Sequence, residues 1–135
     1  MAQFLMLNPS IVINSVDLSN HCDMCTLEEV FADIDTTAFG ATAKTRLPGL
    51  GDHKFTAEFQ QDFAAASVEA TIGPLVGQTA AVTVKAQNSA TSTTNPAYSF
   101  TVAIIQWKPL DGKVGDLAKA SIVWPVSGAV TKATS

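Results

Sequence analysis

Residues 53–63 read HKFTAEFQQDF, and their two-residue alternation constrains the fold more than any other feature of the chain. Phe55, Ala57, Phe59, Gln61 and Phe63 fall on one side, and Lys54, Thr56, Glu58, Gln60 and Asp62 on the other. Successive side chains point to opposite faces in an extended strand, so the pattern predicts an antiparallel strand with one buried and one wet face. The same period returns in AAVTVKAQ (80–87), where Val82, Val84 and Ala86 oppose Thr83, Lys85 and Gln87, and in AKASIVWPV (118–126). In the latter, Pro125 has no N–H to give a ladder, which predicts an edge or a bulge there. YSFTVAIIQW (98–107) is apolar on both faces from Val102 to Ile105 and reads as covered on both sides. SIVINSVDLS (10–19) and CTLEEVFADIDTT (25–37) read as two earlier strands; the second needs its Phe31, Asp33 and Asp35 face exposed.

One segment departs from this period. FAAASVEATIGPLVGQ (63–78) carries Phe63, Val68, Ile72 and Leu75 near helical spacing in an alanine-rich run, which predicts a short helix at about 64–72, broken at Gly73-Pro74. Glycine and proline mark a long loop at about 36–52, and polar residues mark loops at 88–97 and 108–116. No repeat of 20–50 residues is visible. The order predicts a mainly β fold, an antiparallel β-sandwich or barrel with one short flanking α-helix, in a single domain spanning 1–135.

Composition narrows the partners. Only 15% of residues are charged, against ~25% in an average soluble domain. Either other protein covers part of the surface, or the plentiful Thr, Ser and Ala solvate it. Eight Lys and Arg stand against twelve Asp and Glu, for a formal net charge of −4. The basic residues form no run, which argues against tight nucleic-acid binding, because that affinity comes mainly from cations neutralising phosphates. The N-terminal apolar patch, MAQFLMLNPSIVINS, lacks a basic flank and is too short to span a membrane. Asn8 is followed by Pro9 and is no glycosylation acceptor. Synthesis and folding in a cytoplasm, with no membrane partner, are expected.

Chemistry-bearing residues are few. HCDMC (21–25) holds both cysteines and His21, but a structural zinc takes four ligands, usually from two separated pairs, and only His53 lies elsewhere. A redox Cys-x-x-Cys opens a helix in a βαβ unit, which the strand pattern lacks. A metal- or thiol-dependent domain using His21, Cys22 and Cys25 is therefore a remote reading, and reduced thiols in a turn the plainer one. His53, after Asp52, reads as a solvated turn residue. Glu28, Glu29, Asp33 and Asp35 read as a solvated acidic strip, and no nucleophile motif or phosphate loop occurs. No enzyme activity, catalytic residue, metal site or cofactor is expected.

DIDTTAFGATAKTRLPGLGDHKFTAEFQQDF (33–63) resembles a stretch of the tail tube proteins of long-tailed bacteriophages. An acidic strand (Asp35) leads to Thr37 and Phe39-Gly40, then to Arg46, a Gly49-Leu50 turn, and an alternating strand from Lys54 to Asp62. VGDLAKASIVWPVSGAVTKATS (114–135) is similar to the C-terminal strand of small phage virion proteins, so the resemblance covers about half the chain. It implies a β-sandwich or barrel with a flanking helix, self-assembly into stacked hexameric rings, and a conduit through which DNA passes without tight binding. It implies that the 36–52 loop reaches a neighbouring subunit, with Phe39, Arg46, Gly49 and Leu50 as interface residues: Phe39 filling an apolar pocket and Arg46 meeting a carboxylate. Other tail or capsid proteins are the further partners expected in the virion. The chain is short for a tube subunit, which keeps capsid decoration, or a minor capsid protein, as the alternative.

Overall fold

The computed structural model describes Gln3 and residues 5–135. The N-terminal apolar patch read in the sequence thus lies partly outside the described residues, at Met1, Ala2 and Phe4. The elements run β1 (Ser10–Ile13), β2 (Val16–Asp17), a 3-10 turn (Ser19–His21), β3 (Cys22–Glu28), β4 (Phe31–Asp35), β5 (Arg46–Gly51), β6 (Lys54–Gln60), α1 (Val68–Ile72), a second 3-10 turn (Gly73–Leu75), β7 (Thr79–Lys85), β8 (Ala97–Ala103) and β9 (Lys119–Ala133). Seven strands form one antiparallel sheet in the order β2-β1-β7-β8-β9-β6-β3, and β4 and β5 form a separate two-stranded sheet.

The large sheet curls on itself through β9. The first part of this 15-residue strand pairs with β6, from Lys119 opposite Gln60 to Pro125 opposite Lys54. The remainder pairs with β8, from Val126 opposite Val102 onward. Pro125 thus sits where the strand exchanges partners, the place in a sheet that best tolerates a missing N–H. A shift of register follows between Ser99 and Thr101, opposite Gly128, whose φ of +91° bends the strand. Such a partner exchange at a bend is how one strand serves two packed sheets. The two halves enclose Ile11, Ile13, Val82, Phe100 and Val102 from one side and Phe55, Ala57, Phe59, Ile122 and Trp124 from the other, all buried. Phe55 and Phe100 meet across the core with ring centroids 5.3 Å apart.

The expected antiparallel β architecture with one short helix is therefore what the chain forms, and its differences from the expectation are local. The helix starts at Val68, four residues past the expected start at 64. Asp62 instead holds the preceding turn by accepting the Ala64 N–H, and Ala66 adopts φ +58°. Val68 and Ile72 are buried as expected, but Phe63 lies beyond the end of β6 and is exposed. Ile105, expected to be covered, is also exposed, because β8 ends at Ala103. SIVINSVDLS is a hairpin in place of one strand: Asn14 and Ser15 both take positive φ, which suits the tight turn between Ile13 and Val16.

Candidate functional site: a two-stranded arm

The segment expected as one strand and one long loop is a hairpin arm. CTLEEVFADIDTT divides into β3, which joins the body, and β4, which leaves it; of the expected loop at 36–52, residues 36–45 and Asp52 are loop, and residues 46–51 form β5. β4 pairs with β5 alone, in the register Phe31–Gly51, Asp33–Pro48, Ile34–Leu47 and Asp35–Arg46, with an irregularity between Phe31 and Asp33. Pro48 is acceptable because β5 has a free edge. Every residue of β4 is exposed, and of its side chains Phe31 alone makes an aromatic contact among the described residues, with His53 at the foot of the arm.

Local bonds give the arm its shape. At the loop root Thr36 N–H donates to Thr45 O at 2.9 Å, Thr45 N–H to Thr37 Oγ1 at 2.9 Å, and Thr37 N–H to Asp35 Oδ1 at 2.9 Å. The Thr37 backbone N–H, then its hydroxyl, hold the Asp35 carboxyl below its ordinary range. On one face Ile34 stands opposite Leu47, and a Cβ on Gly49 would lie 3.0 Å from Ile34 Cγ1 and 3.1 Å from Ala32 Cβ. Glycine there lets the apolar side chains of β4 lie flat against β5. On the other face Arg46 pairs with Asp33.

Of the four expected interface residues, all lie on this arm. Phe39 is fully exposed at its tip, and Leu50 is 88% exposed at the rim of a cleft by His53. Gly49 serves the packing of the arm itself, and the Arg46 guanidinium already has a carboxylate partner in its own chain. Sequence reading missed Phe31, Ile34 and Leu47, which are 53%, 48% and 60% exposed. Their alternation was visible, but alternation alone does not say whether a face is covered by the same chain.

His53 corrects another expectation. It is only 5% exposed, not solvated. Its Nδ1 accepts the Val30 N–H at 3.1 Å, its ring meets Phe31 edge-on at 5.1 Å, and its carbonyl accepts the Val126 N–H at 2.9 Å. It lies at the foot of the arm, in a cleft also lined by Glu29, Leu50 and Val130.

The HCDMC residues are not gathered into a site. His21 Nε2 bonds Asp62 Oδ2 at 2.9 Å, while the cysteines lie on β3 and are free. Burial pushes the Cys22 thiol up to about 11 and raises Cys25 as well. Thiols held protonated are poor ligands and nucleophiles. Asp62 is lowered, chiefly by the Ala64 N–H and then by Ser67 and His21. Among the described residues no group of three or more His, Cys, Asp or Glu is placed to hold a metal ion, and no helix is long and apolar enough to cross a membrane.

No family model and no curated protein matches the sequence. Solved structures do match the fold. A chain of the virion of a native gene transfer agent particle superposes with TM-score 0.74 at 11% identity, over 97% of this chain and 98% of that one. A chain from the tail of an empty gene transfer agent particle, computed with C6 symmetry, gives 0.62 at 12% identity, over 96% and 98%. A chain of the six-fold symmetrised baseplate of the anti-feeding prophage gives 0.57 at 10% identity, over 98% and 97%. The chain thus shares its fold with chains of these virion, tail and baseplate assemblies. At these identities the likeness concerns the fold.

Proposed function

We propose that this chain is a structural virion protein, the major tail tube subunit, which acts by assembly and not by catalysis. The observation that carries the reading is the β4–β5 arm, whose apolar side chains Phe31, Ile34, Phe39, Leu47 and Leu50 are exposed among the described residues. A two-stranded hairpin is marginal in water on its own. At about 3.3 Å per residue its five-residue strand and the tip beyond reach roughly 20 Å, far enough to lie on another subunit. Placing Phe39 and Leu50 against a neighbour gives a head-to-tail contact, which closes into a ring when the rotation between copies fits a whole number. The six-fold symmetry of two of the matched assemblies supports a hexameric ring, and rings that stack would form a tube.

The net charge of −4 suits a conduit for DNA, since like charge keeps a polyanion from adhering to the wall. Other tail or capsid proteins would meet the ends of such a tube, and assembly would take place in the host cytoplasm. Negative-stain electron microscopy over a concentration series tests this. Uniform hollow rings or tubes are the expected result. A small closed oligomer that binds preformed capsids and never polymerises would overturn it in favour of capsid decoration.

A further inference from the structure

The arm is tied to the body through one side chain. Among the described residues, the hydrogen bonds and ion pairs of residues 30–52 stay inside the arm with a single exception, the bond from Val30 N–H to His53 Nδ1. Among the described residues, the one aromatic contact of the arm is Phe31 against the same imidazole. A backbone N–H is always a donor, so Nδ1 must present its lone pair and Nε2 must carry the proton. The ring also needs Gly51: a Cβ there would stand 2.7 Å from Nε2 and 2.9 Å from Cε1. The backbone of His53 in turn is bonded to Val126, next to the point where β9 changes partners. One residue thus links the arm to the bend of the large sheet.

We infer that His53 is the positioning residue of the arm: its buried imidazole, accepting from Val30 and braced by Phe31, sets the direction in which the arm leaves the body. This rests on the reading of the arm as the assembly element. With the latch closed, the apolar face of β4–β5 is presented in one pose; with it open, the arm is held only by its two chain connections and samples many. Ordering it again on contact with a neighbour costs conformational entropy, which weakens assembly without altering the contact itself.

The test separates the latch from the assembly. His53→Phe keeps a ring and loses the acceptor; His53→Asn keeps an acceptor near the Nδ1 position and loses most of the ring. Amide exchange is read in dilute, unassembled protein, and sedimentation gives the concentration of half-assembly. His53→Phe is expected to speed exchange at Val30 and Asp52 about tenfold or more while Val82 and Ile122 stay unchanged, and to raise the half-assembly concentration by about tenfold. His53→Asn is expected to restore both to within about threefold of wild type, and the wild-type ring to show the 15N signature of an unprotonated Nδ1. Unchanged exchange at Val30, loss spread over the core amides, or faster exchange with unaltered assembly would each overturn the inference. If His53→Phe does not fold, Gly51→Ala, which displaces the ring and keeps the histidine, must give the same local pattern. A wild-type chain that never assembles removes the proposed function and the positioning role, and the exchange data still report on the latch.

Discussion

At the scale of single residues, burial decides reactivity. Cys22 lies against the body with its Sγ 3.0 Å from Met24 O, and desolvation keeps its thiol protonated up to about pH 11. The unfolded chain releases that proton near the ordinary value of 9.0, so above pH 9 the folded state binds more protons than the unfolded one. Stability therefore falls as pH rises from 9 to about 11 and levels off beyond. Denaturant melts of the wild type and of a Cys22→Ser, Cys25→Ser variant check this: the variant is expected to fold at neutral pH and to show a flatter alkaline limb. An identical limb in both would assign the loss to other groups. The two histidines also differ in burial: His53, in the short link to β6, is 5% exposed and accepts the Val30 N–H, while His21 is partly exposed and bonds Asp62.

At the scale of elements, β9 and the arm show two ways of using a long antiparallel strand pattern. β9 is long because it serves both halves of the sheet, and Gly128 lets it turn between them. Gly128→Ala, at φ +91° with no neighbouring atom within 4 Å of the added Cβ, is expected to cost about 1–2 kcal/mol through backbone strain alone. Its urea midpoint should fall with an unchanged slope; an unchanged midpoint would mean that the strand bends elsewhere. The arm uses its strands differently, since it contributes little to the core. Phe39→Asp together with Leu47→Asp, at exposed positions, should shift folding stability by less than about 0.5 kcal/mol and yet abolish assembly. A variant that assembled normally would remove the arm from the interface.

At the scale of the molecule, a curled seven-stranded body carries the core, and the two-stranded arm stands apart from that sheet; the proposed function would divide stability and contact between them. The body buries Trp124, Phe55 and Phe59 completely. The arm leaves Phe39, Leu47 and Leu50 exposed among the described residues. Salt should affect the ion pairs and the apolar contacts differently: Lys119, bonded to Glu58 at 3.0 Å and Asp23 at 3.2 Å, is half-buried and the Arg46–Asp33 pair is exposed, and both are screened. Assembly driven by the arm's apolar face is expected to hold or strengthen in sulfate, read by sedimentation. Dissociation under those conditions would point to charge as the main contact.

The sequence by itself determined where the main strands lie: 53–63, 80–87 and 118–126 carry the two-residue period, 98–107 is apolar on both faces over its second half, and Pro125 marked the irregularity. It also determined that the arm region carries Phe39, Arg46, Gly49 and Leu50 among glycines and a proline, because those residue types report local backbone demands. What only the tertiary structure decided is which apolar face is covered. β4 and β6 alternate alike, yet β6 lies between two strands and β4 beside one. Period describes where side chains point; burial depends on what the rest of the chain places there. The same reason hid Asn95, buried in the 88–97 loop with its amide bonded to Gln87 O at 3.0 Å, and the latch at His53, whose partner lies 23 residues away.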